Sequence, residues 1–311
     1  MKILVTGGAG FIGSHVADAY INFGHQVVIM DNLSTGRLSN VNPAAKFHEL
    51  DIRDHARVDQ VFRQEKFAIV NHHAAQMDVR RSVEDPVYDA SVNVLGFLNL
   101  LECCVKTGVT RFVFASSGGA IYGEQDCFPA DEVHPTRPIS PYGVSKLAAE
   151  KYLFCYKVVH HLDSVSLRYG NIYGPRQNPE GEAGVVAIFA CKMLGGNQPI
   201  INGDGRQTRD YVYVGDIASA NVLALNHDGS DVFNVGTGVE TDVNQLFYLV
   251  KDSTNSKCEA QHGPSRKGEQ LRSALSHEKI TKTLGWKPTV PLREGLTATI
   301  EYFKSASAHG S

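Results

Sequence analysis

The sequence predicts an α/β fold, a doubly wound parallel sheet covered by helices on both faces and followed by a smaller C-terminal α/β lobe. Three observations carry this reading. Short runs dominated by Val, Ile, Leu, Phe and Tyr alternate with longer helix-like segments through residue 173. The first run leads straight into a turn with three glycines spaced three apart. After about Gly174 the alternation gives way to a stretch rich in Pro, Gly and Gln, with scattered strand-like pieces beyond it.

The strand-like runs are Lys2 to Thr6, Gln26 to Asp31, Phe47 to Leu50, Ala68 to His72, Arg111 to Ala115 and Ser164 to Tyr169. Strands alternating with helices imply a parallel sheet buried on both faces. Right-handed crossovers then make it doubly wound, with a ligand crevice beyond the carboxyl ends of the strands. Residues 1–173 are expected to form a dinucleotide-binding unit of Rossmann type to which later segments return. Residues 174–311, with strand-like pieces at Pro199 to Ile201, Tyr211 to Val214 and Val232 to Val235, form mainly a substrate-binding lobe.

A chain of 311 residues with 42% hydrophobic and 20% charged residues is a soluble globular protein by composition, not a disordered one. A net charge of -3 offers no general attraction to nucleic acid or anionic lipid. No apolar run reaches the roughly 20 residues of a spanning helix, and no charged-then-apolar leader precedes the first strand, so no membrane partner and a cytoplasmic location are expected. The six cysteines contain no C-x-x-C pair and read as buried or inert thiols. The adjacent histidines at 72–73 and 160–161 lack ligand-like spacing to carboxylates, so no metal is expected.

The glycine turn reads Gly7-Gly8-Ala9-Gly10-Phe11-Ile12-Gly13 and opens a helix. Glycine permits positive φ, lets backbone N–H groups approach a pyrophosphate and lets helix and strand pack closely. The helix N-terminus then faces the phosphate charge. Alone such a turn is weak, since any tight strand-to-helix connection uses glycine. Asp31 strengthens it by ending the second strand 18 residues after Gly13, where a carboxylate accepts from ribose hydroxyls and repels a 2′-phosphate. NAD is therefore favoured over NADP, although Arg37 nearby could accommodate that phosphate. Asp51 and Ile52, after the third strand, could bracket an adenine, or the aspartate, with Asp54 beside it, could merely cap a helix.

Tyr142 and Lys146 stand at i and i+4, which puts a phenol and an ammonium on one helical face. A cation beside a phenol favours the phenolate and lets it serve as a general base. An isolated Y-x-x-x-K is more often a solvated helix face. Here the pair follows the fifth strand of a dinucleotide fold, that strand ends in Ser116-Ser117-Gly118-Gly119, and Asn93 lies on the intervening helix.

These motifs, together with Asp31-Asn32-Leu33-Ser34-Thr35-Gly36, His72-His73-Ala74-Ala75-Gln76 and Arg168-Tyr169-Gly170-Asn171, resemble the extended short-chain dehydrogenase/reductases over nearly the whole chain. The resemblance lies with their nucleotide-sugar epimerases. It implies that Gly7, Gly10, Phe11, Ile12, Asp31, Asn32, Ser34 and Gly36 line the NAD site. Asp51, Ile52, Ala74, Ala75, Gln76, Asn93, Tyr142, Lys146 and Tyr169 would complete it. Ser117, Tyr142 and Lys146 would be catalytic, with Ser116 as an alternative serine. Asn171, Ile201, Asn202, Gly203, Arg209, Arg266 and Glu269 would bind the nucleotide-sugar, with guanidinium suited to the diphosphate.

The implied activity is 4-epimerisation of a UDP-hexose through a transient 4-keto sugar, without net oxidation. Ser273 falls at the position resembling the family's size gate for the sugar 2-substituent, and its small side chain predicts that acetamido sugars are accepted beside plain hexoses. The dehydratases and decarboxylases of this family carry acid–base carboxylates where Gly118-Gly119 stands here, which argues against those chemistries. A non-catalytic NAD-binding scaffold is the rival of another class. The resemblance also implies a homodimer joined through a four-helix bundle; Leu95, Leu98, Leu101, Leu147 and Leu153 could supply its apolar face, or could instead be a stripe facing the core.

Overall fold

In the computed structural model, which describes residues 1–179, 184–265 and 270–308, seven parallel strands form one sheet. In chain order they are β1 (Lys2–Thr6), β2 (Gln26–Asp31), β3 (Lys46–Glu49), β4 (Ile69–His72), β5 (Arg111–Ser117), β6 (Asp163–Tyr169) and a seventh strand, Asp231–Val235. Across the sheet they run β3, β2, β1, β4, β5, β6 and then Asp231–Val235. The chain winds outward from β1 to β3 and restarts at β4, so the order reverses between β1 and β4. Leu4 of β1 is in register with Val28 of β2 on one side and Val70 of β4 on the other. A crevice opens at such a reversal because the connections leaving the two strands diverge to opposite faces. The Rossmann-type sheet expected from the sequence is present.

The strands are apolar on both faces because both are covered. Ile3 and Val5 point into a cluster with Val16, Tyr20, Phe233 and Trp286, beneath the helices Phe11–Asn22 and Val214–Ala224. Leu4 points the other way, toward Phe62, Phe97, Phe112, Leu153 and their neighbours. Period-two alternation thus serves two cores at once. Burying each such Leu or Phe contributes roughly 1.5–3 kcal/mol before conformational entropy is counted. A third cluster, built by the helices Val185–Leu194, Val243–Thr254 and Leu292–Ala308, forms the centre of the C-terminal part. Between these regions Tyr122, Ala130 and Leu275 make a small buried group.

One expectation is corrected here. Leu101 and Leu153 are 0% and 2% exposed and pack against the sheet, so they are core residues and not part of an external face. Leu95 is exposed, while Leu98 and Leu147 are half-buried. The helix carrying Asn93 is also not regular: Ser91–Gly96 is a π-helical turn leading into Phe97–Thr107. A Cβ on Gly96 would meet Ile52 at 2.8 Å. Among the cysteines Cys103 and Cys104 are buried, but Cys127 and Cys155 are exposed. No helix among the described residues is long and apolar enough to cross a membrane.

Candidate active site

The glycine turn packs backbone against backbone. Gly7 has φ of +68°, and a Cβ there would lie 2.6 Å from the Ala74 nitrogen; one on Gly13 would lie 2.3 Å from the Gly7 carbonyl oxygen. Only glycine permits this approach of the β1 turn to the chain leaving β4. Gly10 begins the helix Phe11–Asn22 with no side-chain cap and no acidic residue in the first turn. Its first-turn N–H groups around Phe11 and Ile12 therefore present donors and the positive end of the helix dipole to the crevice.

Asp31 closes the adjacent side. Its carboxylate is buried and accepts from the backbone N–H of Leu33 at 2.8 Å and of Ala9 at 3.0 Å. Burial pushes its pKa up, and those two donors oppose the shift. Gly36 approaches it closely: a Cβ there would lie 3.0 Å from Asp31 Oδ1. Ser34 N–H donates to Asn32 Oδ1, and Asn32 Nδ2 donates to Asp51 at 3.0 Å. Asp51 is also held by Arg53, which lowers its carboxyl to about 2. The helix His55–Glu65 is capped by Asp54, so the capping alternative weighed for Asp51 belongs to its neighbour. Ile52 is buried beneath Gly96.

On the far side of the reversal, Ala74 N–H donates to Thr6 Oγ1 at 3.3 Å and brings Ala74 and Ala75 over the end of β1. Asn93 clamps the Gln76 backbone from both sides, accepting from its N–H at 2.9 Å and donating to its carbonyl at 2.8 Å. Behind both lies Asp89, 0% exposed, which accepts from Gln76 Nε2 (3.1 Å), Asn93 Nδ2 (3.0 Å) and Ser145 Oγ (2.6 Å). Sequence reasoning missed Asp89. Its available signal was the spacing of four residues before Asn93, which places both on one helical face.

At the end of β5 the two serines separate. Ser116 is buried and donates to Glu150 Oε1 at 2.7 Å, inside a network in which Arg168 binds Glu150 at 2.6 and 2.9 Å and the Tyr122 hydroxyl at 2.8 Å. Ser117 is half-buried and accepts from Ala120 N–H at the start of the short helix Gly118–Tyr122. The roof over that helix explains Gly118 and leaves ordinary contact distance at Gly119. A Cβ on Gly118 would lie 2.5 Å from Leu275, and one on Gly119 would lie 3.5 Å from Ser273 Oγ.

Tyr142 sits in the first turn of the helix Pro141–His160, whose N-cap is Ser140, and its N–H donates to Ser82 Oγ at 3.2 Å. Lys146 follows one turn later, with Nζ 5.7 Å from the Tyr142 ring centroid, 4.8 Å from that of Phe114 and donating to the Ala115 carbonyl at 2.8 Å. Burial lowers Lys146 to about 8, against the opposing pull of Asp89 and Glu150. A protonated lysine beside a half-buried phenol is an acid–base pair, and the Ser117 strand end is the wall that Lys146 is tethered to. Tyr169, also on a strand end, is buried; its hydroxyl accepts from Asn221 and its ring stacks on His73.

The C-terminal part approaches the same end of the sheet. Asn171 is exposed and its N–H donates to the Asp210 carbonyl at 2.8 Å. The buried Asp210 carboxylate gathers N–H groups of Thr237, Gly238 and Leu275, fixing the segment that contains Ser273. Ser273 itself is 1% exposed, beside Gly119. Asn202 and Gly203 line a groove with Arg206, Gln207 and Arg272, while the Ile201 side chain is wholly buried in the lobe's core. Arg209, on the strand pair with Thr241, donates to the Thr208 carbonyl at 2.8 Å. Arg266 and Glu269 lie outside the described residues.

The family model for the NAD dependent epimerase/dehydratase family matches residues 3–236. The chain belongs to that family. A UDP-glucose 4-epimerase of Mycolicibacterium smegmatis is 42% identical over 313 residues, covering 99% of this chain and all of that one. Among solved structures, the Thermotoga maritima UDP-glucose 4-epimerase with UDP-glucose superposes with a TM-score of 0.97 at 48% identity, covering 99% of this chain and 100% of that one. The Thermus thermophilus UDP-glucose 4-epimerase in complex with NAD gives 0.94 at 47% identity, covering 98% and 100%. The glycine cradle, the uncapped helix start and the Asp31 carboxylate of this family member fit the NAD for which the family is named.

Proposed function

We propose that this enzyme is a UDP-hexose 4-epimerase, interconverting UDP-glucose and UDP-galactose and accepting their 2-acetamido counterparts. One observation carries the choice among the family's chemistries. The positions after Ser117 are glycines overlaid by Leu275 and Ser273, so the loop that holds acid–base carboxylates in the dehydratases and decarboxylases offers here no group for elimination. Among the described residues the Tyr142–Lys146 acid–base pair remains, enough, with NAD as hydride acceptor and donor, to oxidise and reduce one carbinol. The scaffold reading is disfavoured because a non-catalytic protein has no use for a buried lysine beside a phenol.

Bound NAD supplies the hydride acceptor and, in the return step, the donor. The chain's own residues manage the proton and the position. Tyr142 Oη takes the proton of the sugar 4-hydroxyl and later returns it, Lys146 favours the phenolate, and Ser117 Oγ hydrogen-bonds to the same oxygen. Gly7, Gly10, Phe11 and Ile12 hold the pyrophosphate. Asp31, Asn32, Ser34, Gly36, Asp51 and Ile52 hold the adenosine, and Ala74, Ala75, Gln76, Asn93 and Tyr169 line the remainder. On the substrate side Asn171, Asn202, Gly203, Arg209, Arg266 and Glu269 bind the nucleotide diphosphate, with Ile201 contributing backbone only. Ser116 is assigned to the Glu150 network instead of catalysis.

The enzyme is further proposed to be a cytoplasmic homodimer. Val144, Phe154 and Val158 form an exposed apolar stripe along the helix Pro141–His160, with Leu95 exposed on the preceding helical segment. They replace Leu101 and Leu153 as the expected interface. The deciding experiment is conversion of UDP-galactose without added cofactor. Tyr142→Phe should abolish most turnover while NAD stays bound, and near-parental turnover would remove Tyr142 from its role.

A further inference from the structure

We infer that Asp89 is a positioning residue for Lys146: its buried carboxylate fastens the Gln76–Asn93 segment to the Tyr142–Lys146 helix and supplies the negative charge that keeps the lysine protonated. The inference rests on the acid–base role proposed above for Tyr142 and Lys146.

The geometry supports the first half directly. Asp89 Oδ1 receives the amides of Gln76 and Asn93, and Oδ2 receives Ser145 Oγ at 2.6 Å. Ser145 is the residue next to Lys146, so one side chain spans from the cofactor crevice to the acid–base helix.

The charge balance supports the second half. Lys146 is 5% exposed, and its nearest partners are the Ala115 carbonyl and the rings of Phe114 and Tyr142. Two histidines face it from the end of β4. Burial holds His72 and His73 neutral, His73 at about 3, so neither adds a compensating anion or a persistent cation. Two carboxylates act on the ammonium, Asp89 and Glu150. Glu150 is already engaged by the Arg168 guanidinium through two hydrogen bonds and also accepts from Ser116, so most of its charge is neutralised. All three donors to Asp89 are neutral. An isolated ammonium in such a site would shed its proton, and Asp89 is the uncompensated anion that opposes this.

The test uses the NAD-loaded full chain with 13C-labelled lysine, following Lys146 by NMR across pH and assigning it with Lys146→Met. Asp89→Asn keeps the side-chain shape and an acceptor for the two amides but removes the charge. Its Lys146 titration should fall by about one pH unit or more, and the alkaline limb of UDP-galactose turnover should move down with it. Ser145→Ala removes one hydrogen bond and keeps the charge, so its Lys146 titration should not fall. An unmoved titration in Asp89→Asn, or an equal fall in both variants, overturns the electrostatic role. If Asp89→Asn does not fold, the parent protein decides, because a neutral Lys146 at pH 7 also overturns it. The NMR readout is independent of the substrate, so a failed epimerase assignment would show as absent turnover with the lysine shift intact.

Discussion

Replacing Gly118 by alanine should injure catalysis more than stability. In an open helix the change is favourable by roughly 1 kcal/mol. At this site the added Cβ would lie 2.5 Å from Leu275 Cδ1 and 2.7 Å from Cδ2, about 1 Å inside ordinary van der Waals contact. Leu275 has little room to yield. It is 0% exposed, its N–H is bonded to Asp210, and its neighbour Ala274 is bonded to Ala130. Overpacking of this kind costs about 1–3 kcal/mol, so the net loss is at most about 2 kcal/mol. The strain is relieved most easily by moving the short helix Gly118–Tyr122, which starts one residue after Ser117. A displacement near 1 Å at a reacting group can cost about 10²-fold in rate. Denaturant melts, NAD content and UDP-galactose turnover should therefore show a small loss of stability, retained cofactor and a fall in kcat of that order. Leu275→Ala introduced beside Gly118→Ala should recover part of the activity. Parental kcat in the single variant, with the protein fully folded, would refute the claim that this roof sets the position of Ser117.

Further outcomes concern the rest of the site. Ser273→Tyr should lose UDP-GalNAc turnover while keeping UDP-galactose, measured side by side; equal loss of both would remove Ser273 as the gate. Arg168→Leu strands the buried Glu150 carboxylate and should cost about 3–5 kcal/mol in denaturant melts, and the double variant with Glu150→Leu should lose much less than the sum of the singles. Burial lowers Lys146 to about 8 from an ordinary value near 10.4. Below about 8 folded and unfolded chains are both protonated, so the burial penalty is constant. Between about 8 and ~10.4 the unfolded chain binds the extra proton, and this group's contribution to stability rises with pH. Turnover, which needs the ammonium, should fall as pH rises through about 8. Melts from pH 7 to 10 should show the rising stability contribution in the parent and not in Lys146→Met.

The sheet was legible because each buried strand is a dense apolar run, and β1, β2, β4, β5 and β6 begin or end within two residues of where those runs do. The glycine turn was equally legible, since φ of +68° at Gly7 and the contact with Ala74 require what the spacing suggested. Other features were hidden for physical reasons. A leucine reads the same whether its helix face meets a sheet or a second subunit, which is why Leu101 and Leu153 were misplaced. Ser116 and Ser117 are adjacent and chemically identical, and alternation along β5 alone sends one into the Glu150 network and leaves the other at the strand's end. Asp89 carries only the weak signal of its spacing to Asn93, because its role comes from three donors brought together by separate segments.

The seventh strand, Asp231–Val235, pairs with β6 only after the chain has passed through much of the C-terminal part. Val235 reaches Tyr169 at the strand ends, and Gly170 N–H donates to the Val235 carbonyl. The segment between β6 and Asp231–Val235 is thus an excursion held at both of its roots by one sheet, not an appendage on a hinge. For protein engineering the roots alone do not define a cassette, because Val185–Leu194 shares its core with Val243–Thr254 and Leu292–Ala308 and Ile200–Asn202 pairs with Gln261–Gly263: a donor segment from another family member should bring those later elements with it, and a cut at residue 173 would strip the sheet of a strand and lay the β6 edge bare to other chains.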